Sequence, residues 1–257
     1  MLFENTIVGP VQSRRLGTSL GINLLPLHRK VCDFDCVYCE CGWNRESEAN
    51  EILMPDVSQI AGLLEKRLTE LLEQGVRIDS LTFSGNGEPT ASPHFPQVVD
   101  MGIEMRNRYF PDAKVSLLSN STRLGKVRVF EAICKIDNPI LKLDAGTPGM
   151  WNLINRPTKD CCSFDEVVEK LTELGNRCII QTLLFRGESE GKEISNISES
   201  EFESYLCLLE KIRPKSVMIY ALDRATPEKN LVKLTADELK VYSQKLESQG
   251  IETKVYG

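Results

Sequence analysis

Cys32, Cys36 and Cys39 follow the spacing C-x3-C-x2-C within Val31-Cys-Asp-Phe-Asp-Cys-Val-Tyr-Cys-Glu40. Thiolates are soft ligands that select zinc and iron–sulfur clusters over hard cations. Structural zinc sites close with four ligands, commonly as two C-x2-C pairs, and no second such pair occurs in this chain. A four-iron cluster held by three cysteines instead keeps one iron open to a small molecule, and an open position separates a reactive centre from a structural one. A reactive [4Fe-4S] centre on Cys32, Cys36 and Cys39 is therefore expected. Cys41 or His28 as a fourth ligand would give the alternative, a non-catalytic zinc or iron–sulfur module.

Other groups able to do chemistry are spread along the chain. Ser84-Gly-Asn-Gly-Glu-Pro-Thr90 is a glycine-rich turn in which Gly85, Asn86, Gly87 and Glu88 would let backbone groups approach a ligand closely. Ser119 and Asn120 end one apolar run, and Lys142 and Asp144 end the next. Strand side chains alternate, so Lys142 and Asp144 share a face, as ligand contacts or as a structural ion pair. Gln181, beside Thr182 in an apolar run, needs a hydrogen-bond partner in the core or on a ligand. Tyr220, Asp223 and Arg224 close the last barrel strand and Arg156 lies in Asn155-Arg-Pro157; the two arginines are candidates to hold an anionic group bidentately, with loop salt bridges as the alternative. Cys134, Cys178 and Cys207 lie in apolar segments and read as buried small hydrophobes. Cys161-Cys162 lacks a third spaced cysteine. His94 marks a loop or helix start, and with two histidines in all a histidine-rich metal site is excluded.

These residues must be positioned by a series of strands and helices. Strands are predicted over Leu20–Leu25, Ser80–Ser84, Lys114–Leu118, Ile140–Asp144, Cys178–Phe185, Ser216–Leu222 and Glu252–Tyr256. Helical periodicity covers Val57–Gln74, with Ile60, Leu63, Leu64, Leu68, Leu71 and Leu72 on one face. It also covers Phe95–Arg108, Val127–Lys135, Phe164–Leu174, Glu199–Lys211 and Ala236–Ser248, the last opened by a capping box at Thr235-Ala-Asp-Glu238. About six strand–helix units in series imply an α/β fold with a parallel sheet. A partial, open parallel β/α barrel spanning residues 1–257 as one domain is expected, with a doubly wound sheet as the alternative. In both, the reactive face lies at the C-terminal ends of the strands.

The 257 residues are 41% hydrophobic, with a formal net charge of −6 and nine cysteines. The charge gives no global attraction to nucleic acid. Without a signal peptide or a membrane-length apolar run, and with Arg14-Arg15 lacking a following cleavage site, a cytoplasmic protein with reduced thiols is expected.

The cysteine triplet, with Tyr38 before its last member, resembles the signature of the radical S-adenosylmethionine superfamily. Gly9-Pro-Val-Gln-Ser-Arg-Arg-Leu-Gly17, Gly21-Ile-Asn-Leu and Asp223-Arg-Ala-Thr-Pro227 resemble a subgroup related to tRNA wyosine-base synthesis enzymes. The resemblance implies a cluster whose open iron is chelated by S-adenosylmethionine, reductive cleavage of that cofactor, and hydrogen abstraction from a substrate. It implies cofactor contacts at Tyr38, at the Gly85–Glu88 turn, where Asn86 replaces a family glycine, and at Ser119, Asn120, Lys142 and Asp144. The Gly187-x-x-Glu190 stretch is similar to the end of the family's adenine motif, with Leu183 in place of its earlier glycine. A reduced flavodoxin or ferredoxin is the implied electron donor. The substrate is open among a small molecule, a peptide and a tRNA base. No cysteine precedes Cys32 to match the second cysteine set of wyosine-forming enzymes, so wyosine formation itself is not expected. Activation of a glycyl-radical enzyme is a second enzymatic option.

Overall fold

The computed structural model describes residues 2–44 and 53–257. They fall into two compact units: Met1–Cys32, Asn44–Ser119 and Lys126–Pro139 make the first, and Asp33–Trp43, Asn120–Gly125 and Ile140–Gly257 the second.

In the first unit, β1 (Ile7–Ser13) and β2 (Gly17–Ile22) form an antiparallel pair. β2 pairs in parallel with β3 (Ser80–Phe83), and β3 with β4 (Lys114–Ser119). The crossovers are α1 (Val57–Glu73) and α2 (Phe95–Tyr109), and α3 (Val127–Ile133) follows β4. Leu20, Ile22, Leu81, Phe83, Val115 and Leu117 alternate onto one face of these strands and are fully buried. The opposite face carries buried hydroxyls that satisfy one another: Ser19 and Thr82 are 2.7 Å apart, and Ser80 donates to Ser116 at 2.8 Å.

α1 starts where Asp56 accepts the Gln59 N–H at 2.8 Å, and it buries Ile60, Leu64, Leu68 and Leu71. Leu63 and Leu72, read from sequence as part of that stripe, are 43% and 52% exposed. They lie at the edge of the helical face, beyond the width the sheet covers. β1 was not foreseen, because Gly9-Pro10 interrupts its pattern; such residues are tolerated on an edge strand.

In the second unit, β5 (Asn138–Lys142), whose first residues belong to the first unit, leads through α4 (Pro148–Asn155) and α5 (Phe164–Leu174) to β6 (Ile179–Leu183). Next come β7 (Phe185–Ser189), β8 (Lys192–Ser195), α6 (Glu199–Ile212) and β9 (Ser216–Tyr220). The chain closes with β10 (Leu231–Lys233), α7 (Ala236–Ser248) and β11 (Thr253–Tyr256). β5, β6, β9 and β11 pair in parallel in that order, while β10, β7 and β8 make a small antiparallel sheet. The parallel strand–helix series expected from the sequence is present.

The single strand expected over Cys178–Phe185 is two strands. Asn196 donates to the carbonyls of Leu183 and Asp144 and accepts the Phe185 N–H at 3.0 Å, so the chain leaves one sheet for the other there. α4 was also missed, since Pro148-Gly149 reads as a turn. Thr147 caps it by accepting the Met150 N–H at 3.2 Å, and proline is favourable in a first helical turn. Cys178 is buried as expected, but Cys134, the residue that caps the end of α3, and Cys207, on the outer face of α6, are exposed. Among the described residues no helix is long and apolar enough to cross a membrane.

Candidate functional site

Cys32 is described with the first unit, and Cys36 and Cys39 with the second. None of the three is in a disulfide; Cys36 is buried, and Cys32, Cys39 and Cys41 are half-buried. His28 is exposed.

In the first unit the glycine-rich turn is bonded to the residue before Cys32. Val31 donates its N–H to the Asn86 carbonyl and accepts the Glu88 N–H, both at 2.9 Å. Gly87 has φ +129°, and a Cβ there would overlap the Val31 carbonyl, so only glycine allows this approach. Asn86, at 1% exposure, is used by the chain itself. Its carboxamide accepts the Phe3 N–H at 2.6 Å and donates to the carbonyls of Phe3 and Pro26, each at 3.0 Å. Glu88 accepts from the Thr90 N–H and hydroxyl at 3.0 and 2.6 Å and from the Ser119 hydroxyl at 2.9 Å. Asn86 and Glu88 thus shape the turn, whose glycines remain its close-approach surface.

In the second unit the cysteine loop is laid on the C-terminus of α4. The orphan carbonyls of the last helical turn are satisfied by loop N–H groups: Ile154 accepts from Val37 at 3.0 Å and Asn155 from Asp35 at 2.9 Å. Phe34 packs edge-on against Trp151, with ring centroids 5.4 Å apart. Asp33, next to Cys32 in sequence, accepts two Arg123 hydrogen bonds, both 2.7 Å, and the Thr122 hydroxyl at 2.9 Å. Asn120 accepts from Thr122 N–H and hydroxyl at 3.0 and 2.7 Å, which forms the turn that presents Thr122.

Tyr38, Lys142 and Asp144 come together with Tyr220 and Asn155. Asp144 accepts from the Tyr38 hydroxyl, from Asn155 Nδ2 at 3.2 Å and from the Leu183 N–H at 2.9 Å, and it pairs with Lys142 at 3.4 Å. These donors occupy the carboxylate, so the structural ion pair considered from the sequence is present. Lys142 also donates to the Tyr220 hydroxyl at 2.8 Å, and its ammonium lies 4.9 Å from the Tyr38 ring centroid and 5.3 Å from that of Tyr220. Burial pulls the Lys142 ammonium down, but Asp144 and then Tyr220 outweigh it, so its pKa is raised overall. Burial, then the Asp144 charge, holds the Tyr38 hydroxyl well above its ordinary range. Burial and then Cys39 push the Cys36 thiol up to about 11, while Asn155 pulls it the other way.

The remaining candidates separate into roles. Thr182 is a core residue, bonded to the Leu143 carbonyl at 2.8 Å and to the Tyr205 hydroxyl at 2.6 Å. Gln181 stands in register with Lys142 on the neighbouring strand and is 7% exposed; among the described residues its carboxamide has no hydrogen bond. Arg156 pairs with Glu190 at 3.0 Å and lies 4.9 Å from the Trp43 ring centroid. Arg224 pairs with Glu40 at 2.6 Å and Asp223 with Lys233 at 3.7 Å, the loop salt bridges that were the alternative reading. Cys162 donates to the Thr122 carbonyl at 3.0 Å. Among the described residues, no group of three or more His, Cys, Asp or Glu side chains is gathered as a site for a single metal ion. Sequence reasoning missed Asn155, Asp33 and Arg123. The Thr147-Pro148 helix start was the available signal for Asn155; Asp33 and Arg123 meet across 90 residues with none.

Residues 27–196, which contain the cysteines, the glycine-rich turn and the Lys142–Asp144 pair, match the family model of the Radical SAM superfamily. The chain belongs to the radical SAM superfamily. A UPF0026 protein of Methanocaldococcus jannaschii is 33% identical over 218 residues, covering 81% of this chain and 64% of that one. The chain spans less than two thirds of the length of the first curated relatives it matches, 32% of one and 64% of the other. Solved structures share the fold. TYW1 with a lysine-pyruvate adduct bound has TM-score 0.59 at 16% identity, covering 91% of this chain and 75% of that one. Streptococcus suis SuiB bound to S-adenosylmethionine has TM-score 0.58 at 14% identity, covering 88% and 45%. The solved structures carry the fold class, an α/β partial parallel barrel, and the family model bears out the superfamily resemblance read from the triplet.

Proposed function

We propose that residues 1–257 form a radical S-adenosylmethionine core in which Cys32, Cys36 and Cys39 hold one [4Fe-4S] cluster. The observation that carries this reading is the C-x3-C-x2-C triplet, whose Asp35–Val37 stretch is bonded, backbone to backbone, to the C-terminus of α4. The donor set fits the group: the ligands are soft, Cys36 is shielded from water, and a buried amide N–H faces its sulfur. When bound, the cluster and S-adenosylmethionine supply one-electron cleavage of the sulfonium and hydrogen abstraction from the substrate.

The chain's own residues would hold and shield these groups. Gly85 and Gly87 offer backbone at close range, and their approach is fixed by Asn86 and Glu88. Lys142, held protonated by Asp144 and Tyr220, offers a fixed positive charge to a carboxylate. Ser119, Asn120 and Tyr38 position neighbouring groups through the bonds described above. The substrate is unidentified; a tRNA base, the class implied by the subgroup resemblance of the sequence, stands beside a peptide and a small molecule as a candidate. A reduced flavodoxin or ferredoxin would serve as electron donor, in the cytoplasm.

The test is anaerobic reconstitution with iron and sulfide, followed by dithionite and S-adenosylmethionine. We expect four irons per chain and formation of 5′-deoxyadenosine. Alanine at Cys32, Cys36 or Cys39 should abolish both, and Cys41→Ala should abolish neither. Loss of metal in Cys41→Ala, or a loaded chain that makes no 5′-deoxyadenosine, would overturn the reading in favour of a closed four-cysteine module.

A further inference from the structure

Asn155 is the last residue of α4, 1% exposed, and its side chain is aimed at the cysteine loop. Its Nδ2 lies 3.3 Å from Cys36 Sγ, 3.1 Å from the Tyr38 hydroxyl oxygen and 3.2 Å from Asp144 Oδ2. The amide is fixed at both ends of the residue. Its backbone carbonyl accepts the Asp35 N–H at 2.9 Å, and Arg156 follows in the left-handed region at φ 45°, which ends the helix at that point. A carboxamide carries two N–H hydrogens, so the three acceptors share them, and the neutral amide reaches the Cys36 sulfur alongside the Tyr38 hydroxyl and the Asp144 carboxylate.

We infer that Asn155 is a positioning residue that tunes the cluster by donating an N–H to the sulfur of Cys36. The inference rests on the cluster reading proposed above and adds a residue to it. Hydrogen bonds to ligand sulfurs are among the factors that set the potential of iron–sulfur clusters. Reduction adds a negative charge that is shared with the thiolates, so an N–H directed at sulfur stabilises the reduced form more than the oxidised one. Removing the donor while keeping the shape therefore makes the cluster harder to reduce. A packing role alone would loosen the loop without preferring either oxidation state.

The experiment is a redox titration of the anaerobically reconstituted full chain, without S-adenosylmethionine, followed by the electron paramagnetic resonance signal of the reduced cluster. Asn155→Leu and Asn155→Asp are compared with wild type, with folding checked by circular dichroism and loading by iron content. Trp151→Phe is the control, since it weakens α4 packing against Phe34 and leaves the amide in place. We expect both Asn155 variants to be about tenfold harder to reduce, which for a one-electron couple is a midpoint about 59 mV lower. Trp151→Phe should titrate like wild type. Identical midpoints in wild type and both Asn155 variants would overturn the inference and leave the cluster reading standing. The same shift in Trp151→Phe as in Asn155→Leu would also overturn it, in favour of packing. A wild-type chain that takes up no four-iron cluster would overturn both.

Discussion

Gly87→Ala tests how the glycine-rich turn holds the residue before Cys32. At φ +129°, an alanine is in a region that L side chains rarely adopt, and its Cβ would overlap backbone rather than a movable side chain. Strain of that kind costs about 1–3 kcal/mol. Relief requires Val31 to withdraw, which breaks its bonds with Asn86 and Glu88, worth about 0.5–1.5 kcal/mol each. The sum is about 4 kcal/mol, or a melting temperature lower by about 8–16 °C for a chain of this size. Gly62→Ala is the matched control. Gly62 lies within α1 with nothing within 4 Å of its would-be Cβ, so the change should stabilise by about 0.5–1 kcal/mol. Differential scanning calorimetry of the metal-free chain reads both. Equal shifts in the two variants, or an unchanged Gly87→Ala, would refute the close-approach argument. Because Val31 precedes Cys32, Gly87→Ala should also retain less iron after reconstitution.

Gln181→Met should change stability by less than about 0.5 kcal/mol in urea unfolding, because the carboxamide makes no hydrogen bond to the chain and is not among its buried unsatisfied groups. A loss of about 2 kcal/mol or more would mean that the chain uses the amide. Arg123→Met should destabilise by about 2 kcal/mol, since it leaves the Asp33 carboxylate without its bidentate partner; a neutral result in the same assay would count against that role. For Glu238, the Thr235 N–H, Arg186 and the Thr235 hydroxyl hold the carboxyl at about 2. A folded value below the unfolded one means a contribution fully present above about pH 4.5 and lost as pH falls through about 2. Glu238→Gln should therefore lose stability relative to wild type at neutral pH, with the gap closing between about pH 4.5 and about pH 2; a gap constant with pH would contradict the assignment.

The sequence alone determined the features that depend on local spacing. Three thiols within eight residues, a glycine-rich turn after an apolar run, and alternation of strand and helix periodicities are properties of neighbouring residues. The family match and the parallel strands agree with each. Thr235 and Glu238 were likewise legible, because a capping box is closed within one helical turn. Tertiary structure decided which groups spend their hydrogen bonds on the chain itself. Asn86 read from sequence as part of a close-approach turn, yet its carboxamide ties down Phe3 and Pro26, 83 and 60 residues away. Lys142 and Asp144 left two readings open in sequence. Tyr220, Leu183 and Asn155, brought in from other elements, occupy the carboxylate and hold the ammonium charged. Asn155 itself could not be read, because its relation to Cys36 spans 119 residues and depends on where α4 ends. Spacing along a chain specifies which atoms can bind; the donors that reach them are chosen by packing, which brings distant residues within about 3 Å.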